Sequence, residues 1–246
     1  MDDVVLYALA ADGVATITLN RPLARNALNM AMAEALAQAA RRAAAEGARL
    51  VLLRAEGPVF GAGADLKERQ GMGDDAVRAR RVKGFAAYAA IEALPMPSIA
   101  VVEGPAVGSG VEMAAACDII LATPAASFRT PEALWGTVGA TQRLPRVLGK
   151  RLAKDLMFTG RVLSAEEALA HGLVARLVPA EGLEAALAEM AGAILKAPPA
   201  ALRLAKRCID DGVELDPRGA LAAELLAIEE SLAAAEWKAR MAGFGR

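Results

Sequence analysis

The sequence is short of nearly everything that a metal centre or a histidine-activated nucleophile requires. It holds one histidine, His171, and two cysteines, Cys117 and Cys208, far apart and in no metal-ligand spacing. A Ser-His-Asp triad would have to use His171, and that residue ends the helical pattern "ALAHGLV" with Gly172 in the C-capping place. A helix-terminal histidine is the simpler reading. Two isolated cysteines read as reduced thiols of a reducing compartment. Charge of one sign is lacking too. Acids and bases are interspersed and the formal net charge is −1, so no basic stripe suits a nucleic acid or a membrane surface. No apolar run of about 18 residues is free of charge and glycine, so no membrane span is expected. The N-terminus "MDDVVLYALA" starts acidic, without the basic segment of a secretory signal. The expectation is a cytoplasmic protein with no metal site.

What is abundant is apolar. Hydrophobic residues make up 55% of 246 positions, enough for one large domain with an appendage. "VVLYALA" and "VATITL" flank "ADG", a hairpin signal. Asn29 caps an alanine-rich helix that ends at Gly47. "RLVLLRA" and "SIAVVEG" read as buried strands, with the helical period of "DDAVRARRVKGFAAYAAIEAL" between them. "GVEMAAAC" reads as a helix and "DIILAT" as a further strand. This alternation predicts an α/β fold of crossover units. From Leu144 onward the pattern is almost wholly helical, with the one strand "LVARLVP". "KAPPA", Lys196 to Ala200, reads as a hinge. The helices after it carry apolar faces broader than a tail can bury alone, so they should pack on the core or on another subunit.

Three stretches could carry chemistry. In "FGAGADLKE", Gly61 and Gly63 follow a strand and Asp65 opens a helical pattern. Glycines let a backbone approach a ligand closely, and helix-start N–H groups have no internal partner. Taken alone, this segment reads better as an ordinary tight turn with Asp65 as a plain N-cap. In "VVEGPAVGSGVEMAAACDII", Gly108, Ser109 and Gly110 lie between a strand and a helix, and Glu112 stands alone among small apolar residues. A helix-start acid complementing the macrodipole would account for Glu112 but not for the glycines. A buried carboxylate needs a partner or a tuned environment. In "FRTPEALWGTVGATQRL", Glu132 follows Pro131 at a helix start, with Thr130 in the N-cap place. Taken together, two strand-to-helix turns could offer two backbone N–H groups to a carbonyl oxygen that gains charge. Two glutamates could move protons on and off a water and the adjacent carbon.

These segments resemble the crotonase (enoyl-CoA hydratase/isomerase) superfamily. "LNRPLARNALN", "FGAGADLKE", "LPMPSIAVVEGPAVGSGVEMAAACDI", "TPEALWGT", "TQRLPRVLG", "FTGRVLSAEEALAHGLV" and "AKR" follow one another in that family's order across nearly the whole chain. "GADLKERQGM" and "ALRLAKRCIDDGVELD" look closest to the hydratase branch that includes methylglutaconyl-CoA hydratase. The resemblance implies an α/β spiral of ββα units over residues 1–193. It implies a helical oligomerisation region over 194–246, building homotrimers or hexamers. Ala64 and Ser109 would supply the oxyanion-hole N–H groups for an acyl-CoA thioester, with Gly108 beside them. The coenzyme A portion would lie along Arg25, Ala62, Asp65, Leu66 and Lys67. Glu112 would activate water and Glu132 would donate the proton. Coenzyme A would enter as part of the substrate, with no separate cofactor. An isomerase of the same superfamily, or a non-catalytic acyl-CoA-binding protein, would share this site.

Three features depart from the pattern. Ser109 stands where a glycine is usual, although only its N–H is required. The loop "GTVGATQR" is a few residues shorter than in relatives and borders the acyl pocket. The chain ends on "MAGFGR", where many relatives carry a basic segment that closes over coenzyme A. Phe244 is the residue there that could reach a neighbouring site.

Overall fold

The computed structural model describes residues 3–234 and 236–241. Strands β1 (Val5–Leu9) and β2 (Val14–Leu19) form the expected antiparallel hairpin, turning at Gly13 with φ of 90°. Helix α1 (Met30–Ala45) starts where the Asn29 side chain accepts the Met32 N–H at 2.9 Å. Strand β3 (Leu50–Ala55), the short helix α2 (Leu66–Arg69), helix α3 (Asp74–Glu92) and strand β4 (Ser98–Val102) follow. Then come β5 (Pro105–Val107), α4 (Ser109–Ala115), β6 (Ile119–Ala122), β7 (Ser127–Arg129) and α5 (Arg143–Thr159). The chain continues through β8 (Val162–Ser164), α6 (Ala165–Ala170), β9 (Arg176–Leu177), α7 (Leu183–Leu195), α8 (Pro199–Gly212), α9 (Pro217–Ala234) and α10 (Glu236–Met241).

A six-stranded sheet, β1-β2-β3-β4-β6-β9, is parallel beyond the first hairpin. Its central strands are apolar on both faces because both faces are covered. Val51 and Leu53 of β3 point to the side of α1 and α3, against Met32, Leu36 and Ile91. Leu50 and Leu52 point the other way, into a cluster with Leu183, Leu187 and Met190 of α7. Each such side chain contributes about 2 kcal/mol of burial.

A second sheet, β5-β7-β8, stands beside the first. Its strands were not foreseen, and two corrections follow. The region after Leu144 holds two strands, Val162–Ser164 and Arg176–Leu177, rather than one. Pro105–Val107 and Ser127–Arg129 pair in parallel where the sequence reads as loop. Three residues are too few to show a period of two. Helices α8 and α9 pack on one another, with Arg203 and Arg207 both bonding Glu230 at 2.8 Å. Lys206 ties α8 to the core through Asp118 at 2.8 Å. Phe244 lies outside the described residues.

Candidate active site

Two glycine turns are pressed together. Gly61 bridges Ala106 in parallel, with Val107 N–H donating to Gly61 O at 2.7 Å. A Cβ on Gly110 would sit 2.4 Å from the Gly61 carbonyl oxygen, so position 110 must be glycine, and a Cβ on Gly61 would press on the Gly110 Cα at 3.0 Å. Gly63, at φ of 92°, turns the chain so that its carbonyl accepts the Leu28 N–H at 2.7 Å. The Leu28 carbonyl in turn accepts the Asp65 N–H at 2.9 Å. That bridge passes over Ala64, whose own N–H has no acceptor among the described residues. Ser109 is the first residue of α4, and its N–H has none either. Two unspent donors therefore stand on adjoining turns.

Asp65 is a structural carboxylate. It accepts the Lys67 and Glu68 N–H groups at 3.1 and 3.2 Å and pairs with Arg21 at 3.0 Å. Burial alone would raise its pKa; the Glu68 N–H, Arg21 and the Lys67 N–H outweigh that and hold it below the usual carboxylate range. Its side chain is the N-cap of α2, as the sequence of this turn allows. The other rim residues are open: Arg25, Leu66 and Lys67 are exposed, and the Ala62 N–H donates to the Arg25 carbonyl at 3.0 Å.

Glu112 is 6% exposed, and its partner is Arg143. Arg143 Nη1 donates to Glu112 Oε2 at 2.7 Å, and Nη2 donates to Glu92 Oε2 at 2.5 Å. Arg143 was visible in the sequence only as the last letter of "TQR"; no local pattern links it to an acid 31 positions away.

Glu132 opens a 3-10 turn, Glu132–Trp135, rather than an α-helix. Pro131 takes the N-cap place, and the expected Thr130 cap is corrected: the buried Thr130 Oγ1 bonds nothing among the described residues. Glu132 Oε1 lies against Gly108, where a Cβ would come within 2.8 Å of it, and Gly108 has φ of 50°. Glu132 Oε2 is buried without a partner among the described residues. Burial pushes its carboxyl pKa up; its own backbone N–H lowers it, the Glu112 charge raises it further, and Arg81 lowers it. Glu112 is thus near enough for its charge to bear on Glu132.

Helix α3 supplies residues that its plain amphipathic period did not reveal. Arg81 donates to the Val138 carbonyl at 3.0 Å and to Thr137 Oγ1, tethering the short loop after Glu132. The Tyr88 ring lies 5.8 Å from the Arg143 guanidinium. Burial pushes the Tyr88 phenol up to about 12; the Glu112 charge adds to this, while the Ser109 hydrogen bond and the Arg80 and Arg143 charges oppose it. A cavity of about 1040 Å³ opens at Glu112, lined by Phe85, Glu92, Arg143 and Arg146 on one side and Lys206 and Asp210 of α8 on another. Among the described residues no cluster of three metal-ligating side chains occurs, and no helix is long and apolar enough to cross a membrane.

Unspent backbone donors on two adjoining turns thus lie in the same region of the fold as the two acidic side chains, Glu112 and Glu132. The chain belongs to the enoyl-CoA hydratase/isomerase family, whose model matches residues 10–245. It is 37% identical over 221 residues to the mitochondrial methylglutaconyl-CoA hydratase of Mus musculus, covering 86% of this chain and 70% of that one. The enoyl-CoA hydratase of Bacillus anthracis superposes with a TM-score of 0.88 at 38% identity, over 92% of this chain and 90% of the other. A Thermobifida fusca protein solved in complex with acetoacetyl-CoA gives a TM-score of 0.86 at 28% identity, over 94% and 95% of the two chains. The fold is the crotonase fold, and the chain is an enzyme of that superfamily.

Proposed function

We propose that the protein adds water across the 2,3 double bond of a 2-enoyl-CoA thioester. The observation that carries this is the pairing of an arginine-held carboxylate, Glu112, with a buried carboxyl, Glu132, whose pKa is raised by desolvation. A carboxylate held by an arginine and a buried carboxyl that favours its neutral form can divide the work of base and acid. Glu112 takes a proton from a water, whose oxygen bonds C3. The electron pair of the double bond moves through C2 to the thioester oxygen, which the Ala64 and Ser109 N–H groups stabilise as an enolate. The enolate then takes the Glu132 proton at C2, and water is fully added. Proton transfer suffices for this chemistry, so no separate cofactor is needed. The acetoacetyl-CoA complex of the Thermobifida fusca relative supports a coenzyme A ester as substrate. Its coenzyme A portion would follow Arg25, Ala62, Leu66 and Lys67, with the Asp65 backbone between them.

Isomerisation is the second reading. Its support is that Arg143 already engages Glu112, while Glu132 keeps one oxygen, Oε2, without a partner among the described residues; one base suffices to move a double bond. Mass spectrometry of products from 2-enoyl and 3-enoyl substrates separates the two. Hydration adds one water to the 2-enoyl ester; isomerisation converts the 3-enoyl ester without change of mass.

A further inference from the structure

We infer that Arg143 is a positioning residue that fixes the Glu112 carboxylate for its attack on water, an inference that rests on the hydratase reading. A glutamate on a short helix has three side-chain torsions to hold, and its water must meet C3 within a few tenths of an ångström. The guanidinium is a rigid fork, and here both tines are used: Nη1 on Glu112 at 2.7 Å and Nη2 on Glu92 at 2.5 Å. Glu92, on the last turn of α3, is half-exposed and anchors the outer end. The Tyr88 ring lies 5.8 Å from the guanidinium, and Arg143 itself is 14% exposed.

Its place in the chain adds a second link. Arg143 is the first residue of α5, eleven positions after Glu132. The loop between them is held to α3 by Arg81 through Thr137 and the Val138 carbonyl. One short tethered segment thus carries Glu132 at one end and the group that aims Glu112 at the other. On this reading the loop, residues 133–142, is the part that sets the spacing of the two acids. Arg143 transfers no proton and touches no reacting atom. It acts through Glu112.

The test is steady-state hydration of crotonyl-CoA by the full-length protein and its Arg143→Ala, Arg143→Lys and Glu92→Gln variants, with circular dichroism to confirm folding. Misplacement of a catalytic group by about 1 Å costs about 10²-fold in rate, so Arg143→Ala should lose about that much in kcat while KM changes less than about threefold. Millimolar guanidinium should restore part of the lost kcat saturably, because the free ion refills the gap beside Glu112; a residue of purely structural value would not be rescued. Arg143→Lys should retain more activity than Arg143→Ala, and Glu92→Gln should lower kcat severalfold. Folded Arg143→Ala with wild-type kcat, or a loss that guanidinium does not touch, overturns the inference. Where Arg143→Ala does not fold, unchanged kcat in both other variants overturns it equally. Absence of hydration by the wild type, with crotonyl-CoA and with a panel of longer and branched 2-enoyl-CoA esters alike, is a distinct result: it removes the hydratase reading and the inference with it.

Discussion

Glu132 shows what a buried carboxyl costs the fold that holds it. Its buried carboxyl prefers the neutral form in the folded protein, so at neutral pH its charge works against folding. The stability it contributes is fully present below about pH 4.5 and is lost as pH rises through its higher folded value. Glu132→Gln should therefore unfold at a higher temperature than the wild type at pH 8, and the advantage should vanish near pH 4.5, as thermal scans across that range would show. The same variant should lose about 10²- to 10⁴-fold in turnover. Gly110 is the opposite kind of residue, valuable for having no side chain. Gly110→Ala must displace the Gly61 carbonyl oxygen, 2.4 Å from the new methyl, and should cost about 3 kcal/mol in urea unfolding. Glu112 stands out in the sequence because a lone acid among small residues is a local anomaly, whereas Glu132, behind a helix-start proline, draws notice only beside the other two stretches and through the family resemblance. Arg143 was not legible, because its partners, 31 and 51 positions away, are set by tertiary packing.

At the scale of the element, α3 organises the site. Arg81, Phe85, Tyr88 and Glu92 recur at three- and four-residue spacing and so share a face. That face meets the loop after Glu132, the cavity, the Arg143 guanidinium and the Arg143 fork in turn. Removing the tether with Arg81→Ala should lower kcat about tenfold by loosening the Glu132 loop, while leaving the thermal midpoint within a few degrees; a rate assay beside a melting curve measures both. The helical period announced α3 but not its task, since an arginine facing a loop reads the same as one facing water. The strands of the second sheet were hidden for a different reason. Residues 105–107, 127–129 and 162–164 are each three long, and their pairing is visible only once distant segments meet.

The whole molecule divides its apolar surface unevenly. The six-stranded sheet is covered on both faces, whereas α9 leaves Leu221, Leu225, Ile228 and Leu232 exposed at four- and three-residue steps. Such a stripe is the seam by which helices join. Sedimentation should find the proposed trimer or hexamer, and replacing Leu225 and Ile228 together by lysine should shift it toward smaller species without loss of helical content. The apolar breadth of this region was legible in the sequence, because alanine- and leucine-rich helices declare it. The hairpin, the crossover order and the buried strands were legible on the same grounds, as long periodic segments. The second sheet and the orientation of α3 arise only from the meeting of elements.

The account turns on two acids sharing one reaction. The decisive measurement is the loss of conjugated absorbance of crotonyl-CoA on adding the protein, beside Glu112→Gln and Glu132→Gln. The predicted result is turnover by the wild type and a fall of at least about 10²-fold in each variant. Turnover that survives in Glu132→Gln would contradict it, showing that the shortened loop has taken that carboxyl out of the chemistry.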